Sequence, residues 1–303
     1  MAIVKVRVQI DGVWTNLSHS NGKWTGTITA PSTTSYNLAN KYYPIKIEVT
    51  NDAGTVVTKD ATDATLGEAL RLVVKETMKP TITLVSPSKG AYVTNNKQPI
   101  VFKVVDETGG SGVNLSTVKL KIDNTTYTST STGMVSTGIN NGYQFTYTPQ
   151  SALKDGSHTI TINASDNDGN VARAVTSTYM IDTVPPTLTV SSPSAGLITN
   201  KATLNIKGVT NDATSSPITL TVTLNGTSLG AVSVGADGSF TKDVTLVEGT
   251  NSIVVTAKDG AGQTSSITLT VKLDTTVPKL NSIVLTPNPA NTSASVAITV
   301  EVS

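Results

Sequence analysis

Short runs in which apolar and polar residues alternate recur along this chain, and they constrain its fold more than any other feature. Examples are Ile45–Val49, Val118–Ile122 and Leu220–Leu224. Alternation buries one face of an extended strand and leaves the other face in water. Long helical patterns are missing, so we expect an all-β chain of short strands.

Asp-Gly and Asn-Gly pairs separate many of these runs. Both residues of such a pair tolerate a positive φ, which the tight turns of β-hairpins require. Only residues 66–76, LGEALRLVVKE, approach a helical composition. Leu70, Leu72 and Val74 alternate there, so we predict a strand in that segment as well. The turn pairs begin at Asp11, Asn21, Asn141, Asp155, Asp168, Asn225, Asp237 and Asp259.

The composition excludes several kinds of chemistry. The 303 residues include no cysteine and only two histidines, so a disulfide framework or a Cys/His zinc site is excluded. A net charge of +1 without clustered Lys or Arg does not indicate a nucleic-acid surface. No apolar run reaches the roughly 18 residues of a membrane helix. The first residues, MAIVKVRVQIDGVW, already alternate, so we expect no secretory signal there.

Three stretches repeat one pattern: IKIEVTNDAG (45–54), ITINASDNDG (160–169) and IVVTAKDGAG (253–262). Aligned without gaps, they share an initial Ile, a later Asn or Asp, and a final Gly. The spacing between copies is about that of one small β-sandwich domain. The shared Asn or Asp positions are Asn51, Asp166 and Asp259, and the shared glycines are Gly54, Gly169 and Gly262.

These stretches resemble the tandem immunoglobulin-like (Ig-like) modules of bacterial and phage surface proteins. Such modules carry a penultimate strand of the form V-x-V-x-A-x-D, a turn close to A-G-N, and then the last strand. ITINASDNDGN and IVVTAKDGAGQ follow this form, whereas the first copy has Asn51 for the leading Asp. The resemblance covers nearly the whole chain and implies tandem Ig-like β-sandwich domains in an elongated string. It says little about function, because such modules serve many tasks.

Four segments are predicted. Residues 1–79 form a divergent N-terminal Ig-like domain and a candidate docking unit, and residues 80–184 and 185–277 form two further Ig-like domains. Residues 278–303 resemble the opening strands of another unit, and they are too few to bury a core. We expect this incomplete segment to pair with a partner or a neighbouring domain. Prolines at the two later junctions are expected to limit bending.

The loop at 166–170, DNDGN, is the clearest candidate for a metal site. Asp166, Asp168 and Asn170 alternate like the first ligands of an EF-hand loop. Such a loop needs a bidentate Glu at its twelfth position, which here is Ser177. A turn needs only an Asx side chain that caps its own backbone and a Gly with positive φ. We predict turns and no metal site, and leave open whether Asp166 and Asp168 bind calcium.

No catalytic or cofactor-binding residue is predicted, and no cofactor. His19 and His158 are assigned to polar turns, where we expect solvated side chains and not a general base. Asp106 and Glu107 are the only adjacent carboxylates of the second domain and are interpreted as a solvated strand end. No phosphate-binding Gly-rich loop precedes a helix. The chain is therefore predicted not to be an enzyme.

Aromatic residues support two interpretations. Trp14 and Trp24 lie on facing arms of a predicted hairpin, where they form either a sugar-stacking platform or a packed cross-strand pair. We favour the packed pair. Tyr143, Phe145 and Tyr147 alternate along one strand, so one aromatic face is expected in a sandwich core.

The leading functional hypothesis is a non-enzymatic structural or accessory protein of a phage tail or phage-tail-like contractile particle. It would act in the baseplate, as a fibre or as a decoration, and its partners would be other particle subunits in symmetric multiple copies, together with the bacterial envelope or a glycan. We expect no nucleic-acid partner and no membrane insertion. The chain would be assembled in the bacterial cytoplasm and released by lysis. The alternatives are a bacterial cell-surface adhesin or wall-associated binding protein, and a carbohydrate-binding module string of a secreted enzyme.

Overall fold

The computed structural model describes residues 1–303 and is all-β, as predicted. It contains 27 strands and three short 3-10 helices. None of these helices has the length and apolar character needed to cross a membrane. The chain forms two compact units, residues 1–182 and 183–303.

Residues 1–79 contain one four-stranded sheet and two short strand pairs. The strands are β1 (Ile3–Ile10), β2 (Val13–Asn16), β3 (Ser18–Ser20), β4 (Lys23–Thr25), β5 (Tyr43–Pro44), β6 (Lys46–Asn51), β7 (Val56–Lys59) and β8 (Arg71–Leu72). The sheet has the order β2-β1-β6-β7, β3 pairs with β4, and β5 pairs with β8. The 3-10 helices are Ser35–Asn37 and Gly67–Leu70. A small core forms around Val8, Ile10 and Tyr43.

The prediction of a strand at 66–76 is largely wrong. Gly67–Leu70 form a 3-10 helix, and only Arg71–Leu72 pair as a strand. Asp63 explains the helix, because its carboxylate accepts hydrogen bonds from the backbone N–H groups just before the helix at 3.0 Å. The alternation is still visible in the packing, since the inward residues are buried or contact the core: Leu70, Leu72 and Val74.

Residues 81–181 form a β-sandwich. Its strands are β9 (Thr81–Ser86), β10 (Tyr92–Val93), β11 (Ile100–Val105), β12 (Lys119–Ile122), β13 (Thr125–Thr128), β14 (Met134–Ile139), β15 (Gly142–Tyr147), β16 (Gly156–Asn163) and β17 (Val175–Ile181), with a 3-10 helix at Leu115–Thr117. One sheet has the order β14-β15-β11-β9, and the other has the order β10-β17-β16-β12-β13. The pair β10–β17 is parallel, whereas the other pairs are antiparallel.

The core of this sandwich lies between the two sheets. The rings of Phe102 and Phe145, which are paired across β11 and β15, stack with their centroids 5.0 Å apart. Tyr147 is buried beside them, and Tyr143 packs against the same cluster. The predicted aromatic face of this strand is therefore confirmed.

Residues 187–273 form a second sandwich with the same strand order, except that it has no counterpart of β14. Its strands are β18 (Thr187–Ser192), β19 (Ile198–Thr199), β20 (Thr203–Asn211), β21 (Thr219–Leu224), β22 (Thr227–Val232), β23 (Ser239–Thr245), β24 (Gly249–Lys258) and β25 (Thr264–Leu273). The sheets are β18-β20-β23 and β19-β25-β24-β21-β22, and β19 lies parallel to β25. Its core contains Ile206, Phe240 and Ile253.

The last two strands, β26 (Leu280–Thr286) and β27 (Ala297–Val302), form an antiparallel hairpin of their own. No third strand joins this sheet. Large apolar side chains are exposed on both strands, with Ile298 68% and Val302 67% accessible. Two strands of this kind bury almost no apolar surface, as predicted for a segment without its own core.

Several predicted turns are confirmed by the backbone. Asp11–Gly12, Asn21–Gly22 and Asn225–Gly226 each join two paired strands with positive φ at both residues, as type I′ turns require. The turn predicted at Asn141 is displaced by one residue, because Ile139 pairs with Gly142 and the loop is Asn140–Asn141.

Every β-ladder lies within one of the four predicted segments. The compact unit 1–182, however, contains the first two segments together. The domain boundaries therefore stay predictions.

Candidate metal centre

The repeated Asn or Asp of the three matching stretches caps a turn. Asp166 Oδ1 accepts hydrogen bonds from Gly169 N at 2.7 Å and Asn170 N at 2.8 Å. Asn51 Oδ1 accepts from Thr55 N at 2.8 Å, four residues ahead, and Asp259 repeats this with Gln263 N at 2.8 Å. The final Gly has positive φ in every copy. The prediction of turns is confirmed.

The second copy has more than a turn. The Asp166 side chain is completely buried, and its other oxygen, Oδ2, accepts from Asn170 Nδ2 at 2.8 Å. One carboxylate oxygen of Asp166 lies close to one oxygen each from Glu76 and Asp106, all within 4.8 Å of one another. We call these three carboxylates the acidic cluster.

Three separate segments supply the acidic cluster. Glu76 follows β8 at the end of the first predicted domain. Asp106 follows β11, one of the two central strands of its sheet, and Asp166 follows β16 in the opposite sheet. Because β11 and β16 end on the same side of the sandwich, the two aspartates meet there, and Glu76 reaches them from the first domain.

Carboxylate oxygens in and beside the cluster are buried without a partner. Asp106 is only 4% exposed, and its Oδ1 has no hydrogen bond, although Oδ2 accepts from Gly112 N at 2.7 Å. Glu76 Oε1 accepts from Ser111 N at 2.5 Å, whereas Oε2 has no partner. Glu107 Oε2 is also buried and unpartnered. These oxygen atoms are shielded from water and accept no hydrogen bond, so the desolvation of each one costs free energy that no contact offsets.

Gly110 marks the point on which these side chains converge. A Cβ at residue 110 would lie 2.8 Å from Asp106 Oδ2, 2.8 Å from Glu76 Oε2 and 2.8 Å from the carboxyl carbon of Glu107. Any side chain at this position would therefore displace carboxylates. The absence of a side chain at residue 110 leaves room for the carboxyl groups of three acidic residues.

The acidic cluster has no compensating cation. None of its members forms an ion pair with Lys or Arg. Burial raises the pKa of Asp106, the Gly112 N–H opposes this rise, and the negative charges of Glu76, Asp166 and Asp168 raise the pKa further. The site therefore concentrates negative charge around two aspartates, Asp106 and Asp166, that are shielded from water.

Hydrogen bonds surround the cluster and join the first 79 residues to the second domain. Asp168 Oδ2 accepts from Thr34 Oγ1 at 2.5 Å and from Glu76 N at 3.1 Å. Asn170 Nδ2 donates to Glu76 O at 3.2 Å, and Asn37 Nδ2 donates to Gly110 O at 2.6 Å. The DNDGN loop thus forms part of an interface as well as a turn.

The interpretation of Asp106 and Glu107 as a solvated strand end is wrong, because Asp106 is buried. His158 also differs from its prediction as a solvated turn residue. It lies in β16 and is 8% exposed, with Nδ1 2.7 Å from Asp123 Oδ2 and Nε2 2.7 Å from Lys154 O. His19 is exposed, as expected, on β3.

The predicted packed pair of tryptophans is not found. Both side chains are partly exposed, and neither belongs to the small core of residues 1–79. The Arg7 guanidinium lies 4.2 Å from the centroid of the Trp14 ring, and the Trp24 ring lies 5.0 Å from the His19 ring. Each tryptophan instead covers a polar neighbour on its own strand pair.

Comparison with known proteins places part of the chain among Ig-like domains. Residues 80–162 match a family described as a bacterial Ig domain, and residues 186–275 match one described as glucodextranase, domain B. Neither match covers half of the chain. Bacillopeptidase F of Bacillus subtilis (strain 168) is 27% identical over 132 residues, which are 44% of this chain and 9% of that protein. The chain thus spans less than a tenth of this relative.

Similar solved structures include fibronectin(III)-like modules of Clostridium thermocellum CbhA, at 17% identity and a TM-score of 0.36, covering 64% of this chain and 94% of that one. Immunoglobulin domains 1–4 of Sidekick-1 are 11% identical with a TM-score of 0.39, covering 89% of this chain and 67% of that one. Likeness at this level carries no information on ligands or activity. The fold is that of tandem Ig-like β-sandwiches, one part of the chain matches a bacterial Ig domain, and the link to phage tails stays a prediction.

Proposed function

We propose that this chain is a non-catalytic surface or binding protein of bacterial type, in which tandem Ig-like modules hold other parts at a defined spacing. The observation that carries this proposal is the hydrogen-bonded interface between residues 34–76 and the loops at 106–112 and 166–170. Modules joined only by a flexible linker do not fix a distance. Modules joined by several hydrogen bonds are held at a fixed distance from each other.

The buried Asp166 supports this function in a second way. Its carboxylate holds the turn, and the same turn presents Asp168 to Thr34 and to the backbone of Glu76. The turn that follows β16 in the sandwich of residues 81–181 thus also fastens that sandwich to the preceding residues. A spacer needs this property.

A second candidate is the accessory part of an enzyme that acts on a polymer. The match of residues 186–275 to a domain named after glucodextranase and the partial match to bacillopeptidase F favour it. None of these similar proteins favours the phage-tail hypothesis. It remains the prediction made from the sequence, with adhesin and carbohydrate-binding module as the alternatives.

Spin-label distances test the spacer directly. The chain has no cysteine, so Thr58→Cys on β7 and Thr126→Cys on β13, both exposed, provide unique label sites on the two sides of the interface. A second label pair, Thr126→Cys with Thr159→Cys, lies within one sheet of the sandwich, and the width of its distance distribution serves as the reference. We expect one distance with a width close to the reference. A broad distribution would overturn the spacer proposal.

Fractionation of the native producer separates the biological settings. We expect recovery with the cell wall or the secreted fraction. Co-migration at fixed stoichiometry with tube and sheath proteins on a gradient would instead favour a phage-tail component. A titration of soluble polysaccharides followed by Trp fluorescence tests the accessory-module candidate, because both tryptophans are partly exposed. A flat titration argues against it.

A further inference from the structure

We infer that Glu76, Asp106 and Asp166 bind a calcium ion that bridges the first predicted domain and the second. The inference stands on the acidic cluster itself and does not depend on the proposed function. It assigns a ligand to residues whose geometry is otherwise unexplained.

The spacing of the oxygens fits a shared ion. Calcium binds oxygen ligands at about 2.3–2.6 Å, so two ligands on opposite sides of one ion are about 5 Å apart. One oxygen from each member of the acidic cluster lies within 4.8 Å of the others. A single ion therefore reaches all three carboxylates without rearrangement of the backbone.

The unpartnered oxygens are an independent reason. Asp106 Oδ1 and Glu76 Oε2 are shielded from solvent and receive no hydrogen bond, although both side chains are held in place by bonds to their second oxygens. A turn or an interface does not need free buried carboxylate oxygens. A cation satisfies them, because metal ligands are acceptors that lack a hydrogen-bond donor.

The kind of donor selects the ion. The cluster offers carboxylate oxygens only, and no His or Cys lies among its members, which disfavours zinc. Three chain segments of differing geometry suit calcium, which accepts six to eight oxygens in irregular arrangements, better than magnesium, which demands a regular octahedron.

The first copy of the repeat provides an internal contrast. It has Asn51 at the position of Asp166, and the neutral Asn51 amide also caps its turn, since Oδ1 accepts from Ala53 N at 3.0 Å and from Thr55 N at 2.8 Å. The turn therefore does not need a negative charge at this position. The charge of Asp166 is an addition to the turn, and calcium binding accounts for it.

Bound calcium would tie three segments together. Residue 76 belongs to the chain that leads into the second domain, the loop at 106–112 follows β11, and the turn at 166–170 follows β16. Local opening of the loop releases the ligands, so calcium favours the closed form. If calcium binds only this form, opening is suppressed by a factor of 1 + [Ca²⁺]/Kd, about elevenfold at ten times Kd.

Hydrogen exchange of the full chain tests the inference. The protein is stripped with a chelator, and exchange of peptides covering 106–113 is followed by mass spectrometry as calcium rises to about 10 mM, above the range of weak extracellular sites. We expect exchange there to slow by about tenfold or more. Glu76→Gln and Asp106→Asn should each remove most of this protection. Asp237→Asn, in an exposed turn where Asp237 Oδ1 only caps Ser239, should leave it unchanged.

Peptides from β16 report whether each variant is folded, and the partly exposed Glu76 is the safer substitution if Asp106→Asn unfolds the sandwich. Unchanged exchange at 106–113 in the wild type would overturn the inference, as would full protection in Glu76→Gln. Equal protection by magnesium at the same concentration would overturn the assignment to calcium. Neither result bears on the spacer proposal, which the spin-label distances decide.

Discussion

Thr34 and Asp168 are joined by a hydrogen bond of 2.5 Å from Thr34 Oγ1 to Asp168 Oδ2, although 134 residues separate them in the sequence. Thr34 is buried, and the same carboxylate oxygen also accepts the backbone N–H of Glu76. The Asp168 side chain therefore connects two parts of residues 1–79 to the sandwich of residues 81–181.

Asp168→Ala removes the acceptor of both bonds. We expect the free energy of unfolding of residues 1–182 to fall by about 1–3 kcal/mol, because a buried hydroxyl loses a charged acceptor. Spin labels at residues 58 and 126 should also show a broader distance distribution. Thr34→Val keeps the Glu76 N–Asp168 bond but also removes the cap that Oγ1 gives to Tyr36 N, so the two variants are compared by distance distribution, which Thr34→Val should broaden less. An unchanged distance distribution in Asp168→Ala would show that the interface does not depend on this contact.

Gly110→Ala places a Cβ among the carboxylates, 2.8 Å from oxygens of Glu76 and Asp106. We expect a loss of about 1–3 kcal/mol in the free energy of unfolding, because these side chains have to leave their positions. Gly138→Ala is the control, since no atom lies within 4 Å of the added Cβ and the backbone there is not left-handed. It should be neutral or slightly stabilising. If denaturant titrations give the same change in the free energy of unfolding for both substitutions, the space at residue 110 is not crowded as described.

The Asp123–His158 pair predicts a dependence of stability on pH. Burial acts to raise the pKa of Asp123, but the hydrogen bonds from Thr159 N–H and from His158 outweigh it, so the pKa lies below its usual value. The ionised carboxylate therefore adds stability above its unfolded pKa of about 3.9, and this is lost as the pH falls through the lower folded value.

The melting temperature of Asp123→Asn should accordingly lie below that of the wild type at pH 7, and the difference should disappear as the pH falls through the lowered pKa of Asp123. Asp11→Asn is the control, because Asp11 occupies a hairpin turn with a similar positive φ, 47° against 51°. The difference in melting temperature between Asp11→Asn and the wild type should be small at every pH. If the difference in melting temperature between Asp123→Asn and the wild type grows as the pH falls, the pH dependence has the opposite sign and the explanation of the Asp123–His158 pair is wrong.

Phe145→Ala tests the aromatic core. Phe145 is fully buried and stacks on Phe102, so we expect a loss of about 3–5 kcal/mol. Val135→Ala on the neighbouring strand β14 removes a side chain that is 61% exposed and should cost little. Chemical denaturation measures both changes, and a loss below about 1 kcal/mol for Phe145→Ala would mean that the sandwich core lies elsewhere.

The hairpin β26–β27 should exchange its amide hydrogens much faster than the long pair β24–β25. Both are antiparallel, but only the second is covered by a core. An isolated two-stranded sheet is marginal in water. Slow exchange at Ile283 and Val300 would show that the hairpin is protected in solution by an additional contact.

The sequence predicts what depends on local spacing. Alternation located the strand with Phe145, and Asp-Gly or Asn-Gly pairs located three type I′ turns. The capping role of Asp166 also follows from residues within four positions. In each case the partners are close in sequence or fixed by the two-residue period of a strand.

The acidic cluster was missed because its members come from distant segments. The test applied to Asp166 was a twelve-residue EF-hand loop, and no such loop contains Glu76 or Asp106. The burial of Asp106 was not predicted for the same reason. Asp106 follows a strand, where a side chain is usually solvated, and residues of the first domain, distant in sequence, cover it. The one local signal was the pair of glycines after Glu107, which leaves room for converging side chains.

The parallel pairs β10–β17 and β19–β25 have a consequence for stretching. Each joins the beginning of a sandwich to its end, through bonds such as Gly90 N to Thr178 O and Met180 N to Ala91 O in the first, and Lys272 N to Leu197 O in the second. Tension transmitted along the chain draws the two strands of a pair in opposite directions along a common axis. The bonds are then loaded in shear and have to break together, so each sandwich acts as a clamp under pulling force.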